Sequence, residues 1–180
     1  KQVLRHIGER LPSVERIAAY ATAQDILRIG SGDLKELREL KLGILYVGLE
    51  SGNDEVLKRI GKGVDSEQMI EAGRKAKEAG ILTSVTVILG LGGIEGAEEH
   101  AVKTARVLNQ MDPDYVGALT LTLVPGTPLH DEWRRGSFHV VTPFQSLREL
   151  LVMLNNSCFT NCFFSSMHAS NYFAIRGRLP

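Results

Sequence analysis

The chain has 180 residues with 21 basic and 21 acidic side chains, a formal net charge of zero and a pI near 7.1. That balance leaves no electrostatic footprint for nucleic acid or an anionic membrane, and the length suits one domain with a real core. No apolar stretch approaches the roughly 18 residues a membrane span needs, and "KQVLRHIGERLP" carries too many charges for a signal peptide. Two cysteines argue against a disulfide scaffold and suit a reducing, cytoplasmic setting.

In chain order, "VERIAAYAT" (14–22) is a short strand-like run. Asp33 is placed to cap a helix over "LKELREL", where Leu34, Leu37 and Leu40 share one face. "LGILYVGL" (42–49) is a second strand, and "DEVLKRI" (54–60) a short helix closed by Gly61. Ser66 is a cap for "EQMIEAGRKAKEAG", with acids near the start, lysines near the end and Gly80 as the stop. "ILTSVTVIL" (81–89) is a third strand, 98–111 a helix ending before Pro113, and "YVGALTLTLV" (115–124) a fourth strand. Thr142 and Pro143 read as N-cap and first residue of a helix bearing Leu147, Leu150, Leu151 and Leu154. Beyond about residue 155 the alternation stops, and the rest reads as strand or loop.

Near-continuous apolar strands alternating with helices specify an α/β fold of about four parallel strands with covering helices. Both common parents of such a sheet, the doubly wound sheet and the β/α barrel, collect chemistry at the C-terminal strand ends. Three of those ends stand out. Glu50 follows the second strand directly, where a carboxylate accepts from a hydroxyl or an amine, or stabilises the helix that starts at Asp54. "ILGLGG" (88–93) lets the backbone approach a flat or phosphorylated ligand with its N–H groups outward, or is a tight turn. "VPGTPLH" (124–130) is a turn-forming loop. Together they suggest a ligand groove. No nucleophile elbow or H-E-x-x-H is present, and no catalytic residue is assigned. His168 is a candidate substrate contact or a surface histidine, and Arg176 with Arg178 a solvated face. Cys158 and Cys162 are spaced as C-x3-C, but the third position of a cluster motif is Ser165. Two buried thiols are the expectation, with no metal ligands.

The strand ends taken together, "YVGLESGNDEVLKRIGKG", "SVTVILGLGG" and "LTLTLVPGTPL", resemble the radical S-adenosylmethionine enzymes over about residues 14–130. The likeness is to the branch with the oxygen-independent coproporphyrinogen oxidases and methylthiotransferases. It implies a partial β/α barrel, of which residues 1–155 form the C-terminal portion, with 156–180 an extension packed on the same domain. It implies that Glu50 contacts the ribose or methionyl part of S-adenosylmethionine and that Lys62 pairs with the methionyl carboxylate. Thr86 would be a second ribose contact, with Ile88, Gly90 and Val124 on the adenine side. The full-length parent would use S-adenosylmethionine and a [4Fe–4S] cluster to make a 5′-deoxyadenosyl radical that abstracts hydrogen from an unknown substrate.

The family's C-x3-C-x2-C loop and methionyl-amine segment are not in these residues. The resemblance therefore implies that about the first third of a larger protein is missing. The fragment alone is expected to be inactive and to bind no cofactor firmly. Self-association through its open sheet edges is also expected. A nucleotide-using α/β enzyme with Glu50 on a ribose, or a non-catalytic interaction domain, are the other readings of the same residues.

Overall fold

The computed structural model describes residues 1–180. Its centre is one six-stranded sheet in the order β1-β2-β3-β4-β5-β6. The strands are β1 (Ile17–Tyr20), β2 (Leu42–Glu50), β3 (Leu82–Leu89), β4 (Tyr115–Thr120), β5 (Cys162–Ser165) and β6 (Arg176–Leu179). β1 to β5 run parallel, and β6 pairs with β5 antiparallel. The helices are α1 (Gln2–Arg10), α2 (Ala23–Arg28), α3 (Ser31–Glu39), α4 (Asp54–Arg59), α5 (Ser66–Glu78), α6 (Gly93–Met111), α7 (Pro128–Arg134) and α8 (Pro143–Asn155). The α/β architecture expected from the alternating pattern is present, with one more parallel strand, β5, and the antiparallel β6 added to it. No helix is long and apolar enough to cross a membrane.

The two faces of the sheet differ. Along β3, Thr83, Val85, Val87 and Leu89 are buried while Leu82, Ser84, Thr86 and Ile88 are half-buried. The buried set packs with Met69, Ala76, Ala101, Ala105, Leu108 and Met153 of α5, α6 and α8. Helices therefore cover one face only. The other face carries Tyr46, Gly48 and Glu50 of β2 beside Ser84, Thr86 and Ile88 of β3 and Gly117 and Leu119 of β4, and it is the more open side.

Several helix starts differ from the sequence expectation. The N-cap of α5 is Asp65 rather than Ser66, and it makes a reciprocal capping box with Gln68. α3 begins at Ser31 behind Gly30, so Asp33 lies inside the first turn and caps nothing. α6 starts at Gly93, five residues before the expected start. α1, α2 and α7 were not foreseen. α2 has a Thr22–Asp25 capping box, and Thr127, expected to extend a turn, is the N-cap of α7. Thr142 and Pro143 stand where expected at the start of α8.

Candidate cofactor-binding groove

Glu50 ends β2 in an unusual conformation. Its φ is +63°, in the left-handed region that non-glycine residues rarely adopt. The N–H of Ser51 donates to Leu49 O at 2.8 Å, closing a three-residue turn around Glu50. A turn of this hand is strained, by about 1–3 kcal/mol. The register with β3 slips at this point: Gly48 lies opposite Thr86, but Glu50 lies opposite Val87. The bulge and turn bring the carboxylate back across Gly48, where a Cβ would overlap Glu50 Oε1. There it accepts from Lys62 Nζ at 3.2 Å. Lys62 sits between Gly61 and Gly63, both at positive φ, in the turn that follows α4. Both side chains are about one-fifth exposed, so the pair is reachable by a ligand. Asn53 caps α4 through Glu55 N–H, so Glu50 is not needed as the carboxylate of that helix.

Thr86 and Ile88 lie on the same sheet face, opposite Gly48 and Leu119 respectively. Gly117, on the far side of Thr86, would place a Cβ in open space. An acid, an ammonium and a hydroxyl thus line one side of the groove beside two residues without side chains.

Gly90 follows β3 with φ +82°. Of the two readings of this segment, the structure favours the tight turn at Gly90. Gly90 N–H donates to the Glu149 carboxylate at 2.8 Å, and Gly93 N–H to Gly90 O at 3.0 Å. Two of the N–H groups of this turn are thus paired within the protein. Val124, after β4, is 56% exposed. It borders a cavity of about 320 Å³ with Arg59, Ile60, Leu121, Pro128 and Leu129. Arg59 was not foreseen. It donates to Leu91 O at 2.5 Å and lies over the Phe138 ring, 5.1 Å from its centroid. It therefore ties the end of α4, three residues before Lys62, to the glycine turn. Nothing in "DEVLKRI" distinguishes this arginine from a solvent-facing one.

The remaining candidates lie elsewhere. His168 is exposed and its Nδ1 faces Ser170 Oγ at 2.8 Å. Arg176 and Arg178 are exposed on β6. Cys162 is fully buried, and burial, aided by Asp114 and Asp112, pushes its thiol up to about 12. Cys158 is exposed, against the expectation of two buried thiols. It lies in the loop before β5, where its N–H donates to Asn109 Oδ1 at 2.8 Å.

The radical SAM superfamily domain matches residues 7–105. Over 95 residues the chain is 30% identical to the uncharacterized methyltransferase PH0819 of Pyrococcus horikoshii, covering 53% of this chain and 20% of that protein. Elp3 of Methanocaldococcus infernus superposes with a TM-score of 0.63 at 20% identity, over 77% of this chain and 32% of Elp3. Coproporphyrinogen III oxidase (HemN) of Escherichia coli, a radical SAM enzyme, superposes with a TM-score of 0.59 at 19% identity, over 78% of this chain and 31% of HemN. The chain thus spans a fifth to a third of the length of these relatives, and the structural likenesses speak for the fold. With more than half of its residues matched by the domain, and the partial barrel of those enzymes in its sheet, this chain belongs to the radical S-adenosylmethionine superfamily.

Proposed function

We propose that these residues form one wall of the S-adenosylmethionine site of a radical enzyme whose substrate is not identified. Glu50 accepts from the ribose or methionyl part, and Lys62 pairs with the methionyl carboxylate. Thr86 offers a second ribose contact, and Ile88, Gly90 and Val124 lie on the adenine side. The observation that carries this reading is the strained turn at Glu50, which holds its carboxylate 3.2 Å from Lys62 on the open sheet face. Strain of this kind persists where the surrounding structure enforces it, and it clusters at ligand sites. A zwitterionic nucleoside suits the pair. Its carboxylate can take over Lys62 while its hydroxyls or ammonium satisfy Glu50, and separating a partly exposed ion pair costs about 1 kcal/mol or less.

The family uses a [4Fe–4S] cluster as well, and the residues present do not fit one. Such a cluster wants three or four thiolates. Cys162 is buried with its thiol pushed up to about 12, Cys158 is exposed on the loop before that strand, and no three His, Cys, Asp or Glu side chains are grouped to hold a metal. We therefore assign this chain cofactor binding without cleavage. The hydrogen abstraction from substrate belongs to the full-length protein.

Isothermal titration of the chain with S-adenosylmethionine tests the assignment. Weak but saturable binding is expected, since one wall of the site cannot hold the cofactor firmly, and it should fall about tenfold or more in Glu50→Gln and in Lys62→Met. In the full-length protein the same substitutions should suppress 5′-deoxyadenosine release. A chain that does not bind, or binds equally well in both variants, removes the reading.

A further inference from the structure

Helix α8 buries Ser146, Glu149, Leu150 and Met153. Glu149 is anomalous there. Its side chain is wholly inaccessible, in a row where an apolar residue would pack without desolvating a carboxyl group. Its two oxygens have separate partners. Oε1 lies 2.6 Å from His100 Nδ1 on α6, itself 2% exposed, and Oε2 accepts from Gly90 N–H at 2.8 Å. His100 Nε2 has no partner. An unpaired lone pair at Nε2 costs less than an unpaired N–H, so the structure is best satisfied with the proton on Nδ1, donated to Glu149.

Both members of the pair touch the glycine turn. Glu149 fixes the peptide plane of Gly90, and a Cβ on Gly92 would stand 2.9 Å from His100 Cβ. Gly90 itself leaves no room for a side chain, since a Cβ there would meet Val141 Cγ2 at 2.7 Å. The direction in which the turn leaves Ile88 is thus decided by a buried acid 59 residues away in sequence. We propose that Glu149, held by His100, is a positioning residue for the nucleoside-binding edge at Ile88–Gly90. It does not touch the ligand. It sets the shape of the edge that does, and this rests on the cofactor reading of that edge given above.

The test compares Glu149→Met with Glu149→Gln in the full chain, using S-adenosylhomocysteine as the probe in isothermal titration and amide hydrogen exchange at Gly90. Methionine fills the space and removes the acceptor. Gly90 should exchange at least about tenfold faster and affinity should fall about tenfold. Glutamine keeps an acceptor for Gly90 if His100 moves its proton to Nε2. Gly90 protection and affinity should then stay within about threefold of the parent, and the 15N spectrum of His100 should report the changed tautomer. Equal losses in both variants would mean that Glu149 serves only to hold α8 in place, and would overturn the proposal, as would undiminished affinity in Glu149→Met. Should Glu149→Met fail to fold, fast exchange of Gly90 in the unsubstituted chain overturns it independently. Failure of the cofactor reading itself has a different signature: the unsubstituted chain does not bind the probe although Gly90 is protected.

Discussion

Gly48→Ala separates binding from folding better than any change to Glu50. Gly48 is in β2 and outside the left-handed region, so alanine suits its backbone. A Cβ there would overlap Glu50 Oε1 and stand 3.1 Å from both Glu50 Cδ and Lys62 Nζ. These are the ends of two flexible side chains, so the carboxylate moves and the strand does not. The stability cost is the loss of a partly exposed ion pair, about 1 kcal/mol or less. It is offset by the reduced entropy of the unfolded alanine chain, about 0.4–1 kcal/mol. Net stability should change by under about 1 kcal/mol. The displaced carboxylate can no longer make a charged hydrogen bond, worth about 1.5–3 kcal/mol, which lowers affinity roughly 10- to 100-fold. Urea unfolding and isothermal titration with S-adenosylmethionine measure the two quantities. Affinity within threefold of the parent in a folded Gly48→Ala chain would refute the idea that Glu50 acts from this seat.

Three further outcomes follow from other parts of the molecule. Native chain should react with a thiol reagent at Cys158 alone, with Cys162 modified only after unfolding, because burial both blocks that thiol and pushes it up to about 12. Two rapidly reacting thiols would contradict this. Asp112, at φ +46° after α6, accepts from Thr160 N–H at 2.8 Å and pairs with Lys77. Burial pushes its carboxyl up, but Lys77 and Thr160 outweigh that and hold it below the usual aspartate range. A depressed folded-state value stabilises above the unfolded value of about 3.9 and is lost as pH falls through and below it. Asp112→Asn should therefore be less stable than the parent at pH 7, with the difference shrinking in acid urea titrations; a gap that widens would reverse the sign. The unpaired edge of β1, where Tyr20 is 89% exposed and stacks on Tyr46 at 5.2 Å, should support concentration-dependent self-association by sedimentation. Tyr20→Lys should weaken it, because a charge on an edge strand opposes pairing.

How much of this was readable depends on the range of the interactions involved. β2, β3 and β4 were legible because each is a short run rich in apolar and β-branched residues bounded by turn residues, although helices cover only one face and burial alternates along β3 and β4. The start of α5 was missed by one residue because Asp65 and Ser66 are both competent caps. α1 does carry an apolar stripe, with Leu4 and Ile7 half-buried on one side, but the charges between them masked its period and none of its residues is fully buried. β5 and β6 are four residues each, too short for a period, and become strands only through pairing with distant segments. At the site, Glu50 could be found because it ends an apolar run. Its turn, its bulge and its closeness to Lys62 could not, since the two are twelve positions apart with a helix between them. The inward Gly90 N–H escaped for a similar reason: its acceptor, Glu149, is 59 residues on, in the chain's last helix.

That last contact also orders events in time. During synthesis, β3 and its glycine turn leave the ribosome well before Glu149 exists. At roughly 5–20 residues per second, the 59-residue gap lasts about 3–12 s. Through that interval Gly90 lacks the acceptor that Glu149 supplies, and the turn after β3 has no fixed outline. A nascent chain can thus carry Glu50, Lys62 and Thr86 while the neighbouring turn at Gly90 is still unfixed. If Ile88–Gly90 is the nucleoside edge proposed above, that edge takes its final outline only when α8 docks, and a chain stopped short of that helix should bind S-adenosylhomocysteine more weakly than the whole chain.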